Sequence, residues 1–577
     1  MRAQSSLALF CLLPLVAAAS TLTIAIEPRF QGDPLRLDAL IHQNAAGETV
    51  AFSRVSYLLG GFALERDDGK WIEITGLNAW MDAATRRSDV VVTDIPPARY
   101  RAVRFHVGPD AIANAAHVGG IAATDPLNPN VNGLHWSWQG GYIFMAIEGH
   151  FRTGNDEPRG FAYHLARDPN RTLIHLSADL DLTRDAGLLA YFDLAGLLNA
   201  PRGLSFGRDG TATHSRDGDP VAAALVRNLP GAFRIHRVDQ APAAGSTLPI
   251  LGALDMPVIS TPYGFTINRT FPLPDLPRDN PLILERVQLG EKLFHDPSLS
   301  ADATISCATC HQHARAFTDG LARSAGIKGR VGDRNAMPLA NLAWKKEFFW
   351  DGRARSLRAQ VMAPIQDHRE MDADPAMVVA KLAKDPEYPA MFAAAFRSPG
   401  ISPEKLALAL EQYLLTLTAR DSKFDRAMAG KVSLTAEEQR GLELFMTEYE
   451  PRTGQMGADC FHCHGGPLFT DHQFHDNGLG GNDPGRAKVT GLATDAGKFA
   501  TPSLRNVALT APYMHDGRFA TLPDAVEHYI SGVERGPILD PNLAKHPGRG
   551  VPLDKADTAA LVAFLKTLTD TSLAAGN

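Results

Sequence analysis

Two segments of the chain carry a pair of cysteines separated by two residues and followed at once by histidine. They are Cys307-Ala308-Thr309-Cys310-His311 and Cys460-Phe461-His462-Cys463-His464. Thiols at this spacing lie one helical turn apart, so they can form thioethers to a porphyrin while the imidazole reaches the iron. Cysteine and histidine also ligate structural zinc. Two copies of one motif, which use every cysteine except Cys11, favour two covalent haem c groups over zinc or two disulfides.

The sequences that flank the two motifs are also repeated. Residues 290–294 (GEKLF) and 317–319 (FTD) surround the first motif, and residues 441–445 (GLELF) and 469–471 (FTD) surround the second. Self-similarity at a fixed offset indicates repeated structural units. The surrounding patterns are helical, with a capping box at Thr435. We therefore predict a mainly α region of two haem subdomains, residues 272–430 and 431–577.

From Pro272 to Leu568 the chain resembles the bacterial dihaem cytochrome c peroxidase and MauG family. Four motifs carry the resemblance: Asp333-Arg334-Asn335-Ala336, Phe349-Trp350-Asp351-Gly352-Arg353-Ala354, Thr501-Pro502-Ser503-Leu504-Arg505-Asn506-Val507 and Pro512-Tyr513-Met514-His515-Asp516-Gly517. The resemblance implies that His311 is the proximal ligand of a peroxide-reactive haem. It implies that His464 is the proximal ligand of a second haem, which stores an oxidising equivalent. Trp350 would lie between the haems as an electron relay, where it would otherwise be read as a core aromatic.

The same resemblance implies polar residues on the distal side of the first haem, at the positions of Gln360 and Glu370. Peroxide must lose a proton from one oxygen and gain one on the other as the O–O bond breaks, so a carboxyl group near the iron can act as acid and base. The family's inter-haem calcium site corresponds to Asn335 and the backbone carbonyls of Thr510 and Pro512. Oxygen-only ligands suit calcium.

Two positions differ from the ordinary peroxidases of this family. Those proteins place methionine as the distal ligand of the second haem, whereas the corresponding residue here is Tyr529, as in MauG. Axial ligands move haem potentials across about 0.8 V, and an anionic phenolate favours the higher-valent iron needed to hold Fe(IV) at both haems. Ordinary members also often carry a blocking histidine after the first haem, where this chain has Ile327. We therefore expect a first haem that is open to peroxide without prior reduction.

The part of the chain before the haem region has the pattern of β-strands. Residues 21–26 alternate between strongly apolar and smaller or polar side chains. Residues 161–165 and 173–176 are predicted to form a hairpin around the turn signal at 168–170. Such segments predict an all-β sandwich over residues 21–238, joined by a linker at 239–271. The predicted fold is therefore multidomain, with an N-terminal all-β sandwich before the mainly α dihaem region.

The sandwich resembles MbnP, the copper-binding partner of the dihaem enzyme MbnH, through residues 135–144 (HWSWQGGYIF). In that pair the enzyme oxidises a tryptophan of its partner to kynurenine, which then helps to bind copper. The present chain resembles a fusion of both. Trp136 and Trp138 share one face of a strand, and either is a candidate for oxidation or for core packing, with Trp136 preferred. Imidazole suits copper, and the predicted ligand is His164, with His42 as the second choice.

The net charge and the lengths of the apolar segments argue against two classes of protein, nucleic-acid-binding proteins and membrane proteins. The net charge of −7, without a basic stripe, argues against nucleic-acid binding. Arg2, the apolar run 7–17 and the small residues 17–20 predict an export signal over residues 1–20. That run is too short for a membrane anchor, which needs about 20 apolar residues, and no later segment is apolar for long enough. We therefore predict a periplasmic protein without a membrane span.

Together these features predict a dihaem oxidoreductase that uses hydrogen peroxide to oxidise a tryptophan to kynurenine, in its own N-terminal domain or in a partner protein. One alternative is an ordinary cytochrome c peroxidase that takes electrons from a small cytochrome or cupredoxin. Another is a copper-binding or copper-delivery protein that is matured by its haem region. An electron carrier without catalysis is disfavoured because Ile327 leaves one iron face open.

Overall fold

The computed structural model of the protein describes residues 19–116, 118–136, 141–240, 260–450 and 454–575. Nearly all of the predicted export signal and the candidate Trp138 lie outside these residues. Within them, no helix combines the length and the apolar character needed to cross a membrane.

The first strand of the N-terminal domain alternates between buried and partly exposed residues. In the first strand Leu22, Ile24 and Ile26 are buried while their neighbours are partly exposed, as the sequence predicts. The strands are β1 (Ser20–Phe30), β2 (Asp33–Pro34), β3 (His42–Gln43), β4 (Glu48–Arg66), β5 (Trp71–Asp82), β6 (Asp89–Ile95), β7 (Arg99–Val107), β8 (His135–Trp136), β9 (Gly141–Thr153), β10 (Arg159–Ala166), β11 (Thr172–Asp181), β12 (Ala186–Asp193), β13 (Ala212–Thr213) and β14 (Phe233–Gln240). The helices of this domain are α1 (Ala111–Ala115), α2 (Pro129–Asn132), α3 (Leu194–Asn199), α4 (Phe206–Asp209) and α5 (Pro220–Ala232).

These strands form two sheets in the described part of the domain. One sheet has the order β14-β12-β1-β2, with β6 also paired to β1. The other has the order β11-β7-β4-β9-β10-β13, with β3, β5 and β8 paired to its central strands. Rings from the two sheets meet in the core, where Tyr57 and Phe192 have centroids 5.2 Å apart. The predicted all-β fold is confirmed.

The predicted hairpin between residues 161–165 and 173–176 is wrong. β10 pairs with β9, and β11 pairs with β7 on the far side of the same sheet. The turn signal at Asp168–Asn170 forms a 3₁₀ turn, which carries the chain across the sheet. A turn signal predicts a change of direction, whereas the partner of a strand depends on which edge is vacant.

The C-terminal region is mainly helical, as predicted. Its helices are α6 (Leu284–His295), α7 (Cys307–Cys310), α8 (Leu357–Gln366), α9 (Pro375–Leu382), α10 (Tyr388–Phe396), α11 (Pro403–Thr416), α12 (Lys423–Met428), α13 (Ala436–Phe445), α14 (Ala487–Thr490), α15 (Leu522–Glu527), α16 (Pro541–Ala544), α17 (Lys555–Lys566) and α18 (Thr571–Ala575). Its short strands are β15 (Tyr449–Glu450), β16 (Gln455–Met456), β17 (Phe474–His475) and β18 (Phe499–Ala500). The end of the predicted linker packs on this region, since Phe271 is fully buried against Trp344.

The repeated glycines allow one close helix crossing in each haem subdomain. A Cβ on Gly290 of α6 would lie 2.0 Å from the carbonyl oxygen of Ala409 in α11. A Cβ on Gly441 of α13 would lie 1.9 Å from the carbonyl oxygen of Ala560 in α17. Any larger residue would push the helices apart, so the repeated glycine marks equivalent crossings.

The N-terminal domain docks on the second haem subdomain, and their apolar cores are continuous. Gly160 of β10 lies against α16, where an added Cβ would come within 2.1 Å of the carbonyl oxygen of Pro541. Close by, His150 Nε2 donates a 2.8 Å hydrogen bond to the carbonyl of Leu539. This contact between the two domains brings Phe461 of the second haem subdomain close to Trp136.

Candidate functional site

The first cysteine pair lies in α7, which His311 follows directly. The Nδ1 of His311 donates a 2.8 Å hydrogen bond to the carbonyl of Phe317, so Nε2 remains available as a ligand atom. Burial lowers the pKa of His311, which favours the neutral imidazole that a metal requires. Cys307, Cys310 and His311 line a cavity of about 700 Å³. Two thiols and an oriented imidazole on one cavity wall fit a covalent haem c.

The second cysteine pair repeats this arrangement. The Nδ1 of His464 donates to the carbonyl of Phe469 at 3.2 Å, and burial lowers the pKa of His464. Cys460, Cys463 and His464 line a second cavity, of about 230 Å³. This donor set also fits haem c.

The repeated Phe-Thr-Asp segments supply the carbonyl that orients each histidine. Phe317 and Phe469 both adopt the left-handed backbone conformation, with φ of 64° and 54°. The left-handed residue lies in a chain reversal that brings its carbonyl back to the histidine of the preceding motif. The repeat in the sequence is therefore a repeat of the proximal hydrogen bond.

The predicted distal residues Gln360 and Glu370 both line the first cavity. Burial raises the pKa of Glu370, and the nearby Asp367 raises it further. The backbone N–H of Ile327 donates a 2.8 Å hydrogen bond to the carbonyl of Glu370, and the Ile327 side chain is fully buried. The loop that contains Ile327 therefore supports the backbone of Glu370.

Trp350 lies between the two cavities and lines both. Its Nε1 donates a 2.9 Å hydrogen bond to the carbonyl of Asn335. The Asn335 side-chain amide donates to the carbonyl of Leu321 at 2.8 Å, which leaves its Oδ1 as the atom that can bind a cation. Asn335, Thr510 and Pro512 all line the second cavity, so the structure brings the three predicted calcium ligands to the same part of the molecule.

Tyr529 lines the second cavity, where it was predicted to face the iron. It belongs to a π-helical turn, His528–Gly532, that follows α15, and such turns are frequent at functional sites. Burial raises the pKa of Tyr529 to about 12, and a hydrogen bond from Asn477 acts in the opposite direction. The Nδ2 of Asn477 donates to the phenolic oxygen at 3.1 Å. Asn477 therefore contacts the atom that would ligate the iron.

Trp136 lies at the contact between the N-terminal domain and the second haem subdomain. It is buried at the end of β8. Its ring centroid is 6.5 Å from that of Phe461, which stands inside the second cysteine motif. The ring of His214 lies at 5.5 Å and that of His164 at 6.3 Å. The preferred tryptophan is thus beside the second haem-binding motif.

Three histidines meet next to Trp136, and we call His164, His214 and His462 the histidine cluster. One ligand nitrogen from each lies within 4.8 Å of the others. Burial lowers the pKa of His164 to about 3 and also lowers that of His214. Burial acts in the same direction on His462, but Glu448 and Asp459 raise its pKa overall.

Carboxylates surround the histidine cluster. Burial favours the neutral acid of Glu148, yet Arg54 and His164 hold its pKa well below the ordinary value. Burial is likewise opposed at Glu448, where His214 and Lys545 hold the pKa well below the ordinary value. Both groups are therefore carboxylates that accept hydrogen bonds.

Sequence reasoning identified only part of this cluster. The sequence predicts His164 as a ligand, but it gives no prediction for His214, and it marks His462 only as a spacer in the haem motif. The sequence feature that could have identified His462 is its position between the two cysteines of the haem motif, where any residue type is allowed. The structure does not bring His42 to the cluster, since its ring packs against Phe30 and Phe52 with centroids 4.6 and 6.0 Å away.

Two family models match the chain: di-haem cytochrome c peroxidase over residues 284–433 and MbnP over residues 19–211. Methylamine utilization protein MauG of Methylorubrum extorquens is 39% identical over 297 residues, covering 51% of this chain and 80% of that protein. Cytochrome c551 peroxidase of Nitrosomonas europaea is 34% identical over 292 residues, covering 49% and 80%. A solved structure of a MauG-like protein associated with microbial copper homeostasis is 35% identical, with a TM-score of 0.49 over 54% of this chain and 97% of that one.

Proposed function

The haem-binding part of this chain belongs to the di-haem cytochrome c peroxidase family, and on that premise we propose that the protein uses hydrogen peroxide to oxidise Trp136 of its own N-terminal domain to kynurenine. The chain is an oxidoreductase of the dihaem peroxidase type. One observation carries the finer proposal. The indole of Trp136 is buried, and its ring centroid lies 6.5 Å from that of Phe461. Phe461 belongs to the second cysteine motif.

The residues of the first cavity transfer the protons of bound peroxide. Haem c groups held by Cys307, Cys310 and His311 and by Cys460, Cys463 and His464 would supply the redox chemistry that takes up the two oxidising equivalents of peroxide. Glu370 takes a proton from one peroxide oxygen and returns it to the other, while Gln360 orients the molecule. Trp350 fills the space between the cavities, and Tyr529 faces the second one. We further propose that Asn335, Thr510 and Pro512 bind calcium between the two sites.

The oxidation of Trp136 consumes two molecules of peroxide. Four electrons leave the indole and each peroxide accepts two, while the C2–C3 bond of the pyrrole ring is cleaved and each of these carbons gains one oxygen atom, which gives N-formylkynurenine and two molecules of water. Hydrolysis then releases formate and leaves kynurenine. A cavity of about 30 Å³ lined by Trp136, His135 and His164 adjoins the indole, and about 10–15 Å³ is enough to hold one water. The site therefore has room for the water that hydrolysis requires.

Mass spectrometry of the peptide that contains Trp136 tests the proposal. After peroxide is added to the dihaem protein, we expect this peptide to gain two oxygen atoms and then to lose formate. Trp80, which is buried in the same domain and bonded to Ser56, serves as the internal control and should stay unmodified. A Trp136→Phe variant should consume peroxide without the product. An unaltered Trp136 with rapid peroxide turnover on a small cytochrome would favour the ordinary peroxidase, and oxidation confined to Trp138 would reassign the target.

The proton transfer by Glu370 has its own test. Glu370→Gln is expected to slow the reaction with peroxide by about 10²- to 10⁴-fold, the usual contribution of a positioned acid–base group. Because burial raises the pKa of Glu370, the carboxyl is protonated at low pH and cannot accept the peroxide proton. The wild-type rate should therefore rise with pH through a pKa above the ordinary carboxyl range, and Gln should remove this rise. Stopped-flow absorption measures both profiles.

Asp367 offers a matched variant for that experiment. It lines the same cavity and raises the pKa of Glu370. Asp367→Asn should move the pH profile to lower pH without abolishing the reaction. A profile that is the same in all three proteins would assign the proton transfer to another group.

The histidine cluster favours a second function, the binding of copper by the N-terminal domain. Imidazole is a suitable copper ligand, and His164 and His214 lie beside Trp136. Ring opening of Trp136 would add a carbonyl oxygen and an aromatic amine to the donors at this place. In this view, oxidation of Trp136 matures the copper site.

A further inference from the structure

We infer that His462 of the second haem motif completes a transition-metal site with His164 and His214, so that one copper or zinc ion bridges the two domains. The inference deepens the copper-binding part of the proposed function and rests on it. It adds a ligand from the haem region and a dependence on docking.

The first support is the geometry of the three rings. Their centroids lie 5.0 Å apart for His164 and His214, 5.2 Å for His164 and His462, and 5.1 Å for His214 and His462. With a metal–nitrogen bond of about 2.0 Å, three ligating imidazoles would have centroids roughly 5 to 5.5 Å apart. The rings form a nearly equilateral triangle of the required size.

The second support is the set of carboxylates around the rings. His164 Nε2 donates to Glu148 at 2.8 Å and His462 Nε2 donates to Glu448 at 3.0 Å. His214 Nε2 lies 2.8 Å from Glu448. Metal-ligating histidines almost always have such a partner on the ring atom that faces away from the metal. His164 and His462 therefore have the hydrogen-bonded outer partner expected of ligands, whereas His214 has a carboxylate nearby without a hydrogen bond to it.

An unpartnered nitrogen is the third support. The side chain of His164 is only 2% exposed, and its Nδ1 has no hydrogen-bond partner among the described residues. A buried polar atom without a partner costs free energy. A metal ion in the triangle would satisfy it.

The charges at the cluster also favour a cation. Three buried carboxylates, Glu148, Glu448 and Asp459, stand next to it. They are paired with two cations, because Arg54 contacts Glu148 at 3.2 Å and Lys545 contacts both Glu448 and, at 3.3 Å, Asp459. Asp459 also lies 3.0 Å from the Nε2 of His546. A metal cation at the cluster would be attracted by the three carboxylates, and at His462 it would replace the proton that Glu448 and Asp459 favour.

The position of His462 links the metal to docking and to the second haem site. His462 stands between Cys460 and Cys463, whereas the other two ligands come from the N-terminal domain. A metal held by all three closes the contact between the domains. It also contacts the segment that attaches the second haem, so occupancy should alter the spectrum of that haem.

Metal titration of the dihaem protein tests the inference. After chelator treatment, wild type should take up one zinc or Cu(I) ion per chain in competition with a chromogenic chelator, and the spectrum of the second haem should shift. His462→Gln should weaken uptake by at least about 100-fold, the upper range for loss of an outer partner, and should abolish the spectral shift. His472→Gln changes another partly buried histidine of the same subdomain and should leave both unchanged.

X-ray absorption of the loaded wild-type protein counts the imidazole ligands without any variant. Three are expected. A count of two, unaltered affinity in His462→Gln, or failure of wild type to retain metal would each overturn the inference. Oxidation of Trp136 is scored separately by mass spectrometry, so a metal site confined to the N-terminal domain would leave the proposed function intact. Three-histidine binding without Trp136 oxidation would overturn the proposed enzyme activity alone.

Discussion

A Gly160→Ala variant is expected to consume peroxide at the wild-type rate and to leave Trp136 unmodified. The added Cβ would lie 2.1 Å from the carbonyl oxygen of Pro541 and 2.9 Å from the Cβ of Ala544. Because the clash is with the backbone of α16, the contact between the domains must open. Neither haem motif is touched, but Trp136 would move away from Phe461. Peroxide loss by absorbance and the Trp136 peptide by mass spectrometry measure the two activities in one sample.

Gly187→Ala is the matched control for that variant. Gly187 also lies within a strand, β12, but the nearest atoms to an added Cβ are 3.9 Å away, which is ordinary contact. This variant should oxidise Trp136 as wild type does. If Gly160→Ala also oxidises Trp136 at the wild-type rate, then the docked arrangement is not the one that reacts, and transfer between two chains becomes the better description.

A Tyr529→Met variant is expected to raise the potential of the second haem by about 0.2–0.4 V, within the range that axial ligands cover. A thioether favours the reduced metal, whereas a phenolate favours the oxidised one. Oxidation of Trp136 should then be lost, because the second site no longer holds a strong oxidising equivalent. Turnover with a small cytochrome as the electron donor should increase. Spectroelectrochemistry gives the potential, and the peptide assay gives the loss.

Tyr513→Phe is a control in the same cavity. Tyr513 also lines the second cavity, but its hydroxyl donates to the carbonyl of Val507 at 2.9 Å. Loss of the Tyr513 hydroxyl should leave the potential of the second haem and the oxidation of Trp136 unchanged. A Tyr529→Met protein that oxidises Trp136 as fast as wild type would refute the role of the tyrosine.

The contact between the two domains supports Trp136 as the residue that is oxidised. Trp136 and Trp138 are indistinguishable in a strand pattern, because both have the same two-residue spacing and the same side-chain chemistry. Only the docking of β8 against the second haem subdomain places Trp136 next to Phe461 and His214. The same docking brings together histidines that are up to about 300 residues apart, and no local pattern encodes such a meeting.

The sequence by itself determined the two haem-binding motifs, their repeated subdomains and the alternating strands of the N-terminal domain. It could do so because thioether attachment, helix crossings and strand burial each impose a spacing on neighbouring residues. The strand partners of β10 and β11, the neighbours of Trp136 and the role of His462 were decided only by the tertiary structure. These depend on which apolar surfaces are buried against each other across the whole chain, and burial is not directional, so local residue order does not fix it.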